Sequence, residues 1–426
     1  MAQQPPVSLV ERQNDDPNVA EALDDIEIEM PASVFPVKDA IPDGIEIEAT
    51  DDGGAVVDMD PSLNKASDEE DFFRNLAEEM DDSELGGISS SLIGDFESNK
   101  ASRKDWEEAY ANGLELLGFN YEERTQPFRG ATGVTHPLLA EAATQFQAQA
   151  FNELLPPMGP VRTTILGSPT REKEEQAKRV REFMNYYITT VMEEYTPEFD
   201  QMLFYLPLAG STFKKVYYDE NMDRAVSKFV PAEHLVVPYE ANDLETCPNI
   251  TQVVRMSLND LRKRQIAGFY RDIPVIPAQT GTSSVTDEIN YIDGVQPSNI
   301  DYDCTVLECH VDLDLKGYEE TDKDGEPTGI KVPYIVSISE DNGQVLSIRR
   351  NYGEDDPKKG KIQYFVHYKF LPGFGFYGLG LIHTIGGLSR TATAALRQLI
   401  DAGTLSNLPA GFKARGLRIR DDDDPL

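Results

Sequence analysis

Hydrophobic positions follow different rules in different stretches of the chain. Through residues 1–100 they are scattered singly among acids, as in DDIEIEMP and DGIEIEAT. From Lys104 a helical period begins, and KDWEEAYANGLELLGF places Trp106, Tyr110, Leu114 and Leu117 on one face before Gly118 ends the run. A small-residue helix, LLAEAATQFQAQAFNELL, follows Pro137 and is stopped by Pro156 and Pro157. Thr170 then opens TREKEEQAKRVREFMNYYITTVMEEY, charged at first and apolar only towards its end, and PEFDQMLFYLPLAGS supplies an apolar helix. Strand composition takes over in STFKKVYYDE and RAVSKFVPAEHLVVPY, where turn residues in DENMD predict a hairpin. Ser257 with Asp260 predicts the capped start of SLNDLRKRQIAGF, and residues 271–300 have loop composition. CTVLECHVDL, VPYIVSIS, QVLSIRR and IQYFVHYKF, the middle pair joined by EDNG, predict an antiparallel meander. A helix of roughly twenty residues, LIHTIGGLSRTATAALRQLIDAG, follows the glycine-rich LPGFGFYGLG.

Together these elements predict an α+β fold with helices packed on antiparallel sheets and a long helix after them. Charge then divides the chain further. Residues 1–100 hold 27 acids against 5 Lys or Arg, too much like charge and too little apolar surface for a core, so residues 1–103 are expected to be an acidic, largely disordered arm. Within it Phe72, Phe73, Leu76 and Met80 sit at helical spacing and offer a face for another subunit. The whole chain carries −36, which opposes broad adhesion to nucleic acid or anionic lipid. From Leu371 to Arg420 the sign reverses, with six Lys or Arg and one acid, Asp401. Three cysteines, Cys247, Cys304 and Cys309, are too few for a disulfide framework. No run of about 18 apolar residues predicts a membrane span.

Several candidate chemistries fall on inspection. Gly373, Gly375 and Gly378 match GxGxxG, yet the spacers are Phe374, Phe376 and Tyr377, and the preceding strand closes a meander instead of opening a parallel unit. Cys304 and His310 share a strand face while Cys309 points away, so the three cannot converge on one zinc ion. Asp322, Asp324 and Gly325 lack the remaining ligands of a calcium loop and read as a hairpin turn. Arg124, Arg129 and His136 lie in RTQPFRGATGVTHP, whose composition is that of a connection. His136, His234, His310, His367 and His383 stand in separate elements without a GxSxG nucleophile motif, and no GxxxxGK[ST] occurs. No enzyme, cofactor or metal is expected.

The order of segments resembles a known family. GSTFKKVYYDENMDRAVSKFVPAEHLVVPYEANDLETCPNITQVVRMSLNDLRKR is similar to the wing of tailed-bacteriophage portal proteins: a hairpin, a Val-Pro-x-x-His-Leu-Val-Val strand, an acidic loop, a Thr-Gln strand and a Met-Ser-x-x-Asp-Leu helix. GFYGLGLIHTIGGLSRTATAALRQLIDAGTLSNLPAGF resembles the glycine turn, stem helix and exit of portals from short-tailed phages. The likeness spans roughly residues 105–420.

The resemblance implies a portal-type wing over residues 104–378, a stem-like helix over 379–403 and the start of a clip-like region over 404–426. Because DDDDPL directly follows a strand-like run, with no returning stem helix, tunnel loop or crown, an N-terminal portion of a portal is expected. The family implies a homododecameric ring at one capsid vertex of the virion, a channel for genome packaging and ejection. Its partners would be the major capsid protein and scaffold, the terminase, tail adaptor proteins and, transiently, double-stranded DNA. Arg390, Arg397, Lys413, Arg415, Arg418 and Arg420 are the candidate DNA-channel or inter-subunit contacts, and Gly373, Gly375, Gly378 and Gly380 the candidate hinge. Small residues Gly386, Gly387, Ala392, Ala394 and Ala395 permit close packing of neighbouring helices. The alternatives are another head-tail connector and a nucleotide-binding enzyme using the Gly373–Gly378 turn.

Overall fold

The computed structural model describes residues 47–49, 55–57, 72–121, 123–219, 222–275, 283–295, 303–321 and 327–407. They belong to two units, Met1–Asp68 and Glu69–Leu426. In the first, β1 (Ile47–Ala49) and β2 (Ala55–Val57) pair antiparallel. All further described elements lie in the second.

The expected arm boundary at residue 103 is corrected. A 3-10 turn, Leu76–Glu78, leads into α1 (Asp82–Ser102), and Leu76, Ala77, Leu85, Leu92 and Phe96 are buried in one hydrophobic cluster. Spacings of seven and four residues put Leu85, Leu92 and Phe96 on one helix face, and the acids stay on the other. Composition averaged over a hundred residues conceals so narrow a stripe. Phe72 and Met80 pack against the same cluster, so the face expected to meet another subunit is largely filled within the chain.

Helices α2 (Lys104–Leu114), α3 (Leu138–Leu154), α4 (Arg171–Tyr186) and α5 (Tyr195–Ala209) follow. Thr170 caps α4 by accepting the Lys173 N–H. Gly210, in the left-handed region at φ 81°, ends α5 and turns the chain into β3 (Ser211–Asp219). β4 (Arg224–Pro231) completes the expected hairpin. Beyond it come β5 (Leu235–Val236), β6 (Asn249–Ser257) and α6 (Leu258–Ile266), whose Ser257 cap accepts the Asp260 N–H as expected. Within the stretch expected to be loop, α7 (Ser284–Asp293) forms behind a Ser283 cap and buries Val285 against α2 and its neighbours.

β7 (Asp303–Leu313), β8 (Val332–Ser339) and β9 (Val345–Arg350) extend an antiparallel sheet of order β5-β6-β7-β8-β9. Its Leu307–Cys309–Val311 face takes α1 and the 3-10 turn. The fourth strand of the expected meander goes elsewhere. β10 (Phe365–Lys369) pairs with β3, from Phe365↔Lys215 to Lys369↔Ser211, making a second sheet of order β10-β3-β4. The outer edge of β9 is already taken: Asn75 Nδ2 donates to the Leu346 carbonyl, and Asn75 Oδ1 accepts the Ile348 N–H. The Asn75 amide, with the Arg271 N–H that also donates to the Leu346 carbonyl, thus stands in for a neighbouring strand.

The last described element, α8 (Leu381–Asn407), is the expected long helix, with bounds shifted to the C-terminal side. It packs through Ile382 on a helical cluster from α2, α3 and α5, and it approaches closely because Gly113 leaves space that a Cβ would take from Ile382. Among the described residues no helix is long and apolar enough to cross a membrane.

Candidate functional site

The four glycines singled out in the sequence lie where β10 passes through the glycine turn into α8. Gly378 N–H donates to Ser211 Oγ at 2.7 Å, and Leu371 bridges to Leu379 across the turn. A Cβ on Gly210 would meet the backbone of Gly378 and Gly380 at 2.5 Å, and one on Gly380 would meet the Leu208 carbonyl at 2.1 Å. These glycines therefore let two backbones touch where α5 becomes β3. Gly373 is also confined, by the Tyr377 carbonyl, and only Gly375 of the four has open space. β10 and β3 are antiparallel, so the turn does not belong to the parallel unit on which a pyrophosphate cradle depends.

Farther along α8 a second set of contacts fixes the helix. His136 N–H donates to Thr393 Oγ1, Thr132 N–H donates to Asp401 Oδ1, and Arg397 donates to the carbonyls of Val134 and Gly133 and to Thr135 Oγ1. Arg124 donates to the Thr132 carbonyl and lies 3.9 Å from Asp401. Arg397 is thus engaged by its own chain, whereas Arg390 is exposed. Lys413, Arg415, Arg418 and Arg420 lie outside the described residues, as do Asp322, Asp324 and Gly325. Of the small residues, Gly386 is buried against Leu116, while Gly387, Ala394 and Ala395 are exposed. The loop holding Arg124 and His136 is a connection docked on α8, and Arg129 stands exposed beside it.

Two buried polar networks rest mainly on contacts between residues far apart in the sequence. In the first, Arg103, between α1 and α2, donates to the carbonyls of Ala232, Glu233 and Leu235 and to Tyr377 Oη, and pairs with Glu107 at 2.7 Å. Trp106 stacks on Tyr377 with ring centroids 4.5 Å apart. One guanidinium so binds α2, the turn before β5, and the glycine turn. Glu233 is buried beside it with Oε2 unpaired, and burial pushes its carboxyl up to about 7. A cavity of about 40 Å³, lined by Phe96, Arg103, Glu107, Glu233 and His234 among others, leaves room for a water molecule. Burial, with Arg255 and Arg103 nearby, lowers His234 to about 4.

The second network joins the two sheets. Lys215 of β3 donates to Gln252 of β6 and Glu308 of β7, and His310 Nε2 lies 2.9 Å from Glu308. Burial works to raise the Glu308 carboxyl, but Lys215 and His310 outweigh it and hold it well below the usual carboxylate range. Cys309 packs with Leu307 and Val311, and Cys304 with Val306 on the opposite face, so these two thiols and His310 do not meet. Among the described residues no three His, Cys, Asp or Glu side chains are placed to hold a metal. His367 Nε2 lies 3.1 Å from Ser211 Oγ, but Ser211 is fully buried and also accepts the Gly378 N–H; this pair secures the glycine turn.

Compared with family models and with curated proteins, the chain has no match.

Proposed function

We propose that the chain is a ring-forming portal subunit of a tailed-phage capsid, acting as a conduit for DNA in packaging and ejection. The observation that supports this most is the ordered pair of passages already quoted: a wing-like hairpin, strand and helix series, then a glycine turn feeding a long, sparsely charged helix. In this chain both passages belong to one body, because Gly378 donates to Ser211 of β3 and Gly380 abuts the backbone of Leu208 and Gly210. α8 carries only Arg390, Arg397 and Asp401 as charges along 27 residues, and of these only Arg390 is exposed.

The charge balance suits such a conduit. At −36 the subunit repels a duplex that must slide past it, and the few cations that follow the stem-like helix touch phosphates briefly. In this reading copies of the chain assemble as a dodecamer at the portal vertex of the virion. The ring meets major capsid protein and scaffold on its rim, and terminase and tail adaptors at its ends. Arg397 braces the stem, and the glycine turn is a clamp instead of a hinge. Negative-stain imaging with mass measurement, on protein expressed from the whole reading frame, tests the proposal. Rings with a central hole are the expected result. A monomer or dimer at every concentration would overturn it.

A further inference from the structure

Helix α4 is anomalous in this fold. None of its residues is buried, although its second half carries Val180, Phe183, Met184 and Tyr186 along an exposed stripe. The extended stretch before it touches α4 through Asn185, which accepts the Val161 N–H, yet leaves Met158 and Leu166 93 % and 90 % exposed. Lys173, seven residues before Val180, and Arg179, four before Phe183, flank the stripe. Neither is among the ion pairs of this helix, which join Arg171 to Glu175 and Lys178 to Glu182. Residues 159–191 hold six Lys or Arg and four acids, in a chain of −36. This arm is an apolar strip with a positive rim.

A surface of the opposite kind lies across the three-stranded sheet. Residues 239–247 contain Glu240, Asp243 and Glu245 and no Lys or Arg, and Tyr239 stands 82 % exposed at the start of that loop. Leu244 and Cys247 hold the loop on the Phe213 face of the sheet, and Lys361 donates to both of their carbonyls. α4 runs into α5, which covers the Lys214 face, where Tyr195 and Phe199 lie 4.2 Å and 5.0 Å from Lys214 Nζ. α5, into which α4 leads, and the acidic loop thus pack on opposite faces of one sheet.

Taking the ring reading as its premise, we infer that the α4 arm of one copy docks on the acidic 239–247 loop of the next copy. Complementary but different patches make a head-to-tail contact, the kind that closes into a ring when the rotation permits. The partner is a second copy because the complement of the arm, an acidic loop with an exposed aromatic, is present on the same chain.

Charge exchange tests this. K173E/R179E leaves both patches acidic, and E240K/E245K leaves both basic. Each variant alone is expected to raise the concentration of half-assembly roughly tenfold or more, read by sedimentation velocity, with circular dichroism unchanged. Mixing the two variants, or combining all four substitutions in one chain, is expected to restore assembly, since every arm again faces an opposite loop. Rings that form normally in both single-patch variants, or no restoration in the mixture and the combined chain, would overturn this contact and leave the ring reading standing. Failure of the unaltered chain to assemble would overturn both.

Discussion

Helices α1 and α4 are both highly charged, and the sequence ranks them wrongly. α4 is the more amphipathic, with its apolar residues gathered on one stripe and a Thr170 cap at its start. α1 contains three glycines and a run of serines and sits in the most acidic stretch of the chain. Yet α1 buries Leu85, Leu92 and Phe96 and α4 buries nothing. Burial depends on having a surface to cover: the Leu307–Cys309–Val311 face of the five-stranded sheet needs a lid, and the adjoining chain supplies it.

Phe96→Ala tests that contrast most severely. It should lose about 3–5 kcal/mol in urea unfolding, because a buried aromatic leaves both lost contacts and a cavity. A loss below about 1 kcal/mol would mean that α1 is not part of the cooperative core.

The end of α1 also sets a pH dependence. Glu233, next to Arg103, has its carboxyl raised from 4.5 to about 7 by burial. Above pH 7 the folded protein holds a buried charge, and as pH falls towards 4.5 it takes up a proton that the unfolded chain lacks. The Glu233 contribution to stability should therefore rise as pH falls through that window, by about 3 kcal/mol at most. His234, lowered from 6.5 to about 4, works against it, because below pH 6.5 the unfolded chain protonates this imidazole and the folded one does not. Glu233→Gln should remove the carboxyl contribution alone, so that stability falls more steeply with falling pH, and should be the more stable form at pH 8. An unchanged slope would place the titrating group elsewhere.

Asn75→Ala should cost about 1–3 kcal/mol, since the Ile348 N–H loses its partner at a buried edge while the Leu346 carbonyl keeps only the Arg271 N–H. Hydrogen exchange at Ile348 should accelerate with it. Phe183→Ala on α4 should change stability by less than about 0.5 kcal/mol in the isolated subunit. A larger loss would show that the stripe is covered in the monomer.

Local chemistry was legible and long-range choice was not. The Ser257 cap, the Thr170 cap, the β3–β4 hairpin and the long helix each depend on neighbours a few residues apart. β10 pairs with β3, some 150 residues upstream, and the β9 edge is met by Asn75, some 270 residues upstream of β9. At the glycine turn the spacing was visible, but its reason was not: Gly210 and Leu208 supply the backbone that Gly378 and Gly380 must approach. Arg103 and Lys215 had little signal either, because apart from Glu107, four residues beyond Arg103, their acceptors come from turns and strands more than 30 residues away.

The bracing of α8 has a mechanical meaning. At 27 residues the helix is a rod of about 40 Å, held at its base by the glycine contacts and again more than two turns further on by Thr393, Arg397 and Asp401. A rod gripped at two separated points cannot swivel about either. A sideways push on its far end is delivered to the 132–136 loop and the β3 backbone as opposing forces, and the rod yields only when one set of hydrogen bonds lets go.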